Sequence, residues 1–170
     1  MNKTLAKARE DFIAQWGAMG TAWGINKTMA QIHALLMVSP HPMNTDEIME
    51  ALDISRGNAN TNLRELVNWG LIRVVLQKGE RKDFFESEKD VWKMFCLIAR
   101  ERKRREVDPV LAALETCANQ TSDLKGEEAD AFNKTVADLQ DFVGLVSSLL
   151  ERIGRSEQST VLPMVMKLLK

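Results

Sequence analysis

The chain has few of the residues on which enzymes and metal sites depend. It contains no tyrosine, two cysteines and two histidines among 170 residues. Cys96 and Cys117 form no C-x-x-C pair, which predicts reduced thiols that behave as small hydrophobic side chains, a redox-sensing thiol being the alternative. His33 and His41 have no cysteine near them, so we expect no metal site. No Ser/His/Asp arrangement and no G-x-x-x-x-G-K occurs, so the sequence predicts no catalytic activity and no cofactor.

Long apolar runs are also absent. No stretch reaches the 18 consecutive apolar residues that indicate a membrane-spanning helix. The first residues loosely imitate a signal peptide, but Glu10 and Asp11 interrupt the place where its apolar run would begin. We therefore expect a cytoplasmic protein without a membrane partner, in which this first segment belongs to the fold.

Charge is balanced overall but not along the chain. The formal net charge is −1. Residues 1–53 carry 4 basic and 6 acidic side chains, residues 54–105 carry 13 and 7, and residues 106–170 carry 6 and 11. A basic middle between acidic ends is the distribution that a polyanionic partner requires.

Apolar residues recur at intervals of three and four over most of the chain, which predicts a mainly helical protein. The first helix covers about 3–19, and Gly17, Gly20 and Gly24 are expected to break or bend it. The second predicted helix ends before SPHP at 39–42, and the third is short and capped by Asn44. The fourth runs from Ser55 to Trp69 and closes at Gly70. A long helix from Glu88 is expected to kink at Pro109, and the last helix follows a polar break at 119–126.

The helix from Ser55, SRGNANTNLREL, begins with residues that form helices poorly. Gly57, Asn58, Asn60, Thr61 and Asn62 together cost roughly 2–4 kcal/mol of helix stability relative to alanine. A buried face is nevertheless predicted, made of Ala59, Leu63 and Leu66 with Val67 beside them. The opposite face is then rich in asparagine and arginine, the side chains that pair with adenine and guanine edges.

A change of period follows this helix. LIRVVLQ at 71–77 and DFFES at 83–87 are rich in β-branched and aromatic residues and flank a charged turn, which predicts a β-hairpin. Two short helices, a tight turn and a basic hairpin are in the order of a winged helix-turn-helix, in which the second short helix enters the major groove and the hairpin contacts the backbone or minor groove. The predicted DNA-binding residues are Ser55, Arg56, Gly57, Asn58, Asn60, Thr61, Arg64, Lys78, Arg81 and Lys82. RERKRRE at 100–106 is a weaker candidate for phosphate contact.

The run MNTDEIMEALDISRGNANTNLRELVNWGLIRVV, followed by KGERKDFFESEKDVWKM, resembles the GbsR-type branch of the MarR superfamily of bacterial transcription regulators. The resemblance covers about residues 20–110, and it is weak over the last sixty residues. It implies a homodimeric winged-helix repressor of a pseudo-palindromic operator, with a recognition helix at 55–69 and a wing tip at 79–82. Some relatives are linked to choline or glycine betaine uptake, but no ligand-binding residue can be matched here, so any effector stays open.

Apolar faces outside the predicted DNA-binding region favour a dimer. The first helix, a stripe over 132–153 and the tail at 161–169 have more apolar surface than a small winged helix can cover. We therefore expect three regions: an N-terminal helix at 1–22 that belongs to the dimer region, a winged helix-turn-helix DNA-binding domain at 23–92 and a helical dimerisation region at 93–170. Two alternatives remain open: a winged-helix module that binds protein instead of DNA, and an aromatic cage for a quaternary ammonium ligand at Trp16, Trp92 and Phe95.

Overall fold

The computed structural model describes residues 2–156. Its elements form two compact units, Met1–Met94 and Phe95–Lys170, and the boundary between the units falls within one helix. The apolar tail at 161–169 lies outside the described residues. In chain order the elements are α1 (Lys3–Ala22), α2 (Lys27–Val38), β1 (Met43–Asn44), α3 (Thr45–Leu52), α4 (Arg56–Asn68), β2 (Ile72–Val75), β3 (Phe84–Ser87), α5 (Val91–Arg102), a π-helical segment (Lys103–Val107), α6 (Asp108–Thr121) and α7 (Glu127–Arg155).

Helix α1 continues through two glycines that the sequence predicts to break it. Gly17 and Gly20 are buried, and α1 packs against α2. A Cβ atom added to Gly20 would lie 2.6 Å from the Cβ of Ala30, which is closer than two carbon atoms can approach. The predicted break was wrong because these glycines let two helices come together. Gly24, at φ +76°, follows the end of α1 in agreement with the prediction.

Helix α3 begins with a capping box. The side chain of Asn44 accepts hydrogen bonds from the backbone N–H groups of Asp46 and Glu47, and the Glu47 carboxylate accepts one from the N–H of Asn44. The helix ends at Asp53, which adopts the left-handed conformation at φ 50°. This conformation turns the chain within three residues into Ser55, the N-cap of α4.

Helix α4 is held by the apolar face that the sequence predicts. Ala59, Leu63 and Leu66 are at most 2% exposed. Val67 was predicted to lie beside them in the buried face, but it is 37% exposed. Asn62 is buried as well, and its amide donates to the backbone carbonyl of Asn58 at 2.8 Å. Tertiary burial of this face therefore stabilises a helix whose own residues favour it weakly.

The sheet contains one strand more than the predicted hairpin. Strands β2 and β3 pair antiparallel, with Val74 opposite Phe85, and β1 pairs with the other edge of β3. Residues 76–83 join β2 to β3 and are called the wing below. Helix-turn-helix followed by a small antiparallel sheet confirms the winged helix-turn-helix fold. The largest fully buried side chains of the first unit come from α2, α3 and α4: Ile32, Leu36, Ile48, Leu63 and Leu66.

The second unit is helical in its described part. The π-helical segment ends where α6 begins with Pro109 in its first turn, a position that needs no N–H donor. Helix α7 packs against α6. Val136 of the predicted apolar stripe is buried, but Phe132 and Leu139 are 45% exposed. Three further apolar side chains of α7 are more than half exposed: Phe142, Leu145 and Leu149.

Candidate nucleic-acid interface

The polar side of α4 lies on the surface of the first unit. Arg56, Gly57, Thr61 and Arg64 are exposed, and Asn60 is half-buried. Arg64 forms no ion pair within the described residues, so its guanidinium keeps all five N–H donors available. The start of α4 therefore presents both charge and hydrogen-bonding groups to a partner.

Ser55 and Asn58, both predicted to bind DNA, also form hydrogen bonds within the protein. The hydroxyl of Ser55 accepts from the backbone N–H of Asn58 at 3.3 Å and caps the helix. The amide of Asn58 donates to the hydroxyl of Thr28 at 3.4 Å, while its oxygen accepts from Asn62 at 2.7 Å. Asn58 thus connects α4 to α2, and its exposed position leaves it beside the surface that Arg56 and Thr61 share.

Gly57 is a glycine that the fold does not require. It lies inside α4 without a positive φ, and a Cβ atom added there would meet no heavy atom of the described protein within 4 Å. The space in front of it is open. A backbone N–H at the start of a helix, without a side chain to shield it, is suited to close contact with a phosphate.

The wing is charged and fully exposed. Lys78, Arg81 and Lys82 are exposed, and Gly79 turns the chain at φ +90°. Lys78 and Arg81 have no carboxylate partner in the described part of the chain. Below the wing, Arg73 of β2 pairs with Glu86 of β3 at 2.9 Å, directly across the strands. The Arg73 charge is therefore paired within the strands, whereas Lys78 and Arg81 of the wing form no ion pair in the described residues.

A carboxylate that the sequence reasoning missed lies between α4 and the wing. One oxygen of Asp46, in the first turn of α3, pairs with the guanidinium of Arg56, and the other accepts from the Nζ of Lys82 at 2.9 Å. Hydrogen bonds from Lys82 and then Arg56 hold the pKa of Asp46 below its usual value, and the bond to Asp46 raises the pKa of Lys82. Both shifts favour the charged forms of Asp46 and Lys82.

These elements surround an open groove of about 590 Å³. Its polar lining includes Asp46, Arg56, Asn60, Arg64 and Lys82, and its apolar lining includes Leu63, Val67, Val74 and Phe85. Residues that the sequence predicts as DNA contacts from two separate segments thus lie around one depression. Val67, whose burial was predicted, instead lines this groove.

The basic segment RERKRRE is largely paired within the second unit. Arg102 bonds to Glu106 at 2.9 Å, Lys103 bonds to Asp108 at 2.8 Å, and Arg104 bonds to Glu101 at 2.5 Å. Its charge is therefore partly neutralised, unlike the charge of Lys78 and Arg81. Phosphate contact by this segment stays a prediction.

The remaining candidate groups are the cysteines, the potential metal ligands and the aromatic side chains around Trp16. No group of three or more potential metal ligands is found among residues 2–156, and Cys96 and Cys117 are free thiols. Trp16 lies against Phe12, with ring centroids 5.5 Å apart, and meets His33 edge-on. None of the described helices is both long and apolar enough to cross a bilayer.

Comparison with known proteins agrees with this geometry. Residues 23–83 match the MarR family model. The match runs from the end of α1 to the last residue of the wing, so it contains every DNA contact predicted in α4 and the wing, but not RERKRRE at 100–106. It covers α2 to α4, β1 and β2, and it ends before β3.

Two relatives from Bacillus subtilis (strain 168) match over a similar part of the chain. YvaV is 26% identical over 94 residues, which is 55% of this chain and 53% of YvaV. The HTH-type transcriptional repressor GbsR is 26% identical over 93 residues, which is 55% of this chain and 51% of GbsR. The match thus spans about half the length of each relative. A crystal structure of a transcriptional regulator superposes with a TM-score of 0.70 at 20% identity, covering 89% of this chain and 99% of that one, which shows a shared fold.

Proposed function

We propose that this protein is a sequence-specific DNA-binding transcriptional regulator. The observation that carries the proposal is the groove between α4 and the wing, where exposed cations and amides from two segments of the chain face the same open space. The match of residues 23–83 to the MarR family model supports this proposal. The relative GbsR, which is named a transcriptional repressor, supports it as well. These relatives are named for regulation and not for catalysis, which favours a protein that is no enzyme.

In this proposal α4 and the wing have different tasks. The exposed face of α4 enters the major groove, where Arg64 and Asn60 read base edges. The open backbone at Gly57 approaches a phosphate at the helix start. Lys78 and Arg81 of the wing contact the backbone or the minor groove, which supplies affinity that depends on salt and little on sequence.

We further propose that two copies associate through the second unit. The exposed apolar side chains of α7, among them Phe142 and Leu145, form one side of the helix, and a monomer would leave them in water. Association would bury them and place two copies of α4 on one duplex, which requires a pseudo-palindromic operator. Phe142→Glu and Leu145→Glu together should give a monomer by light scattering, whereas Glu128→Gln should leave the mass unchanged.

The names of the relatives support a proposal about the sign of regulation and the branch of the family. We propose a repressor of the GbsR type that acts in the cytoplasm by occupying promoter DNA, since GbsR is named a transcriptional repressor. A small-molecule effector is compatible with this proposal, but no described residue identifies its chemistry. Expression of a reporter gene that is controlled by the DNA upstream of this protein's gene should increase when the gene for the protein is deleted.

The primary test is selection of bound duplexes from a random pool at 150 mM salt. We expect a pseudo-palindromic motif with half-sites about one helical turn apart. A pool that shows no enrichment, with no difference in affinity between upstream DNA and random duplex, would contradict sequence-specific binding. If the protein shows no salt-dependent affinity for duplex DNA, the result would indicate a protein-binding module instead.

Two substitutions test the division between α4 and the wing. Arg64→Ala should cost about 1–3 kcal/mol on the selected operator and relax preference at one base position. Arg81→Ala should weaken binding to all duplexes and reduce the slope of log K against log salt by about 1. Lys7→Ala, a change of an exposed cation on α1, is the control. Equal behaviour of Arg64→Ala and Arg81→Ala would contradict separate roles.

A further inference from the structure

Asp46 joins two cations that belong to different parts of the candidate interface. Arg56 is the first residue of α4, and Lys82 lies in the wing, 10 and 36 residues away from Asp46 along the chain. Each of the two carboxylate oxygens is used by one of them. The three side chains are 44–60% exposed, so the bridge is at the surface and lines the same groove as Arg64.

The bridge leaves donors of both cations available. An arginine carries five N–H donors and a lysine three, and the contacts to Asp46 engage the Nη2 atom of Arg56 and the Nζ atom of Lys82. The two contacts restrain both side chains and leave their other donors available to a partner. A side chain held in this way loses less conformational entropy when it binds a base or a phosphate in the same geometry.

The negative charge of Asp46 also bears on the affinity of non-specific DNA binding. Non-specific binding depends on the positive charge that a protein presents to phosphates, and it requires no particular side-chain geometry. A negative charge between two of the cations lowers that potential at short range. Lys78 and Arg81, by contrast, form no ion pair in the described residues, so their side chains are not held by a carboxylate and can approach any duplex.

We propose that Asp46 is a specificity-determining residue of this interface, which orients Arg56 and Lys82 for the operator and weakens binding to other DNA. The inference rests on the proposed DNA binding. Asp46 is acidic, unlike the cations and amides that the sequence predicts as DNA contacts. Asp46 acts through Arg56 and Lys82, so it is a positioning residue and needs no DNA contact of its own.

The test compares Asp46→Asn with the unchanged protein on the selected operator and on random duplex, each over a series of salt concentrations. Asp46→Asn keeps the shape of the side chain and removes its charge. We expect affinity for random duplex to rise about three- to tenfold, because the local potential becomes more positive. Affinity for the operator should not rise by the same factor, so the ratio of the two affinities falls. The salt slope on random duplex should become steeper by about 1.

Two further variants separate the bridge from simple charge. Asp46→Glu retains the charge and should keep binding to random duplex weak. Glu50→Gln removes an exposed charge one turn further along α3, and it should change the affinity ratio much less than Asp46→Asn does. Thermal unfolding of each variant shows that the fold is kept.

The outcomes distinguish this inference from the proposed function. If the unchanged protein binds no DNA, the proposed function fails. If it binds its operator but Asp46→Asn shifts operator and random duplex equally, or matches Glu50→Gln, the inference about Asp46 is wrong and the proposed function stands. The inference is supported if the ratio of operator affinity to random-duplex affinity falls in Asp46→Asn and is retained in Asp46→Glu.

Discussion

Helix α1, where it contacts α2, and the first turns of α4 both contain residues of low helix propensity. The reasons for these residues differ between the two helices. Both have residues that form helices poorly: glycine at 17 and 20 in α1, and glycine and asparagine at 57–62 in α4. In α1 the glycines are buried, and a Cβ atom at Gly20 would collide with Ala30. In α4 a Cβ atom at Gly57 would meet nothing within 4 Å.

This difference separates structural from functional causes of low helix propensity. Packing against α2 accounts for Gly20, which faces the Cβ of Ala30, and Gly17 lies against the side chain of Gln31, so neither glycine indicates a partner. The internal contacts of α4 account for Asn58 and Asn62, which bond to each other, but they do not account for Gly57, Asn60 or Thr61. The residues left without an internal reason are those that the proposed DNA contact explains.

The largest expected effect is on the α1–α2 side of the comparison. Gly20→Leu should reduce the free energy of unfolding by about 3 kcal/mol, because the larger side chain has no space beside Ala30. Chemical denaturation measures the change. Ala18→Leu, at an exposed position of the same helix, is the matched control and should have little effect. Equal stability of both variants would contradict a close approach of α1 and α2 at Gly20.

The second prediction concerns a buried histidine of α2 beside α1. His33 is 3% exposed, its Nε2 atom has no hydrogen-bond partner in the described protein, and burial lowers its pKa from 6.5 to about 4. The unfolded chain therefore binds more protons between these values, so stability falls as the pH decreases through this interval. Between pH 7.5 and pH 5 the loss should be about 2 kcal/mol.

Urea titrations at several pH values measure this dependence. His33→Gln should remove most of the slope whatever its effect on stability at pH 7.5, whereas His41→Gln, at an exposed histidine, should leave the slope in place. An unchanged slope in His33→Gln would show that other groups cause the loss.

The sequence predicted the parts of the fold that depend on local chemistry. The Asn44 capping box, the Ser55 cap, the turn at Gly70 and the β2–β3 hairpin all follow from residues close together in the chain. What it missed depends on distant contacts. β1 has two residues and exists through pairing with β3, and the bridge at Asp46 joins residues up to 36 positions apart. The break predicted at Gly17 and Gly20 was wrong because their packing partners lie in the next helix.

The smallest expected effect tests the α4 side directly. Gly57→Ala should increase the free energy of unfolding by about 0.5 kcal/mol, less than in a helix centre because Gly57 lies in the first turn. The added methyl group should also keep a phosphate from the backbone N–H and weaken operator binding about fivefold, the equivalent of one hydrogen bond. Gly144→Ala, at a position of α7 where the added Cβ also has open space, should stabilise the protein without changing operator affinity. A Gly57→Ala variant that is more stable and binds the operator as before would mean that the glycine serves neither packing nor DNA, and the contrast between α1 and α4 would then lose its functional meaning at this position.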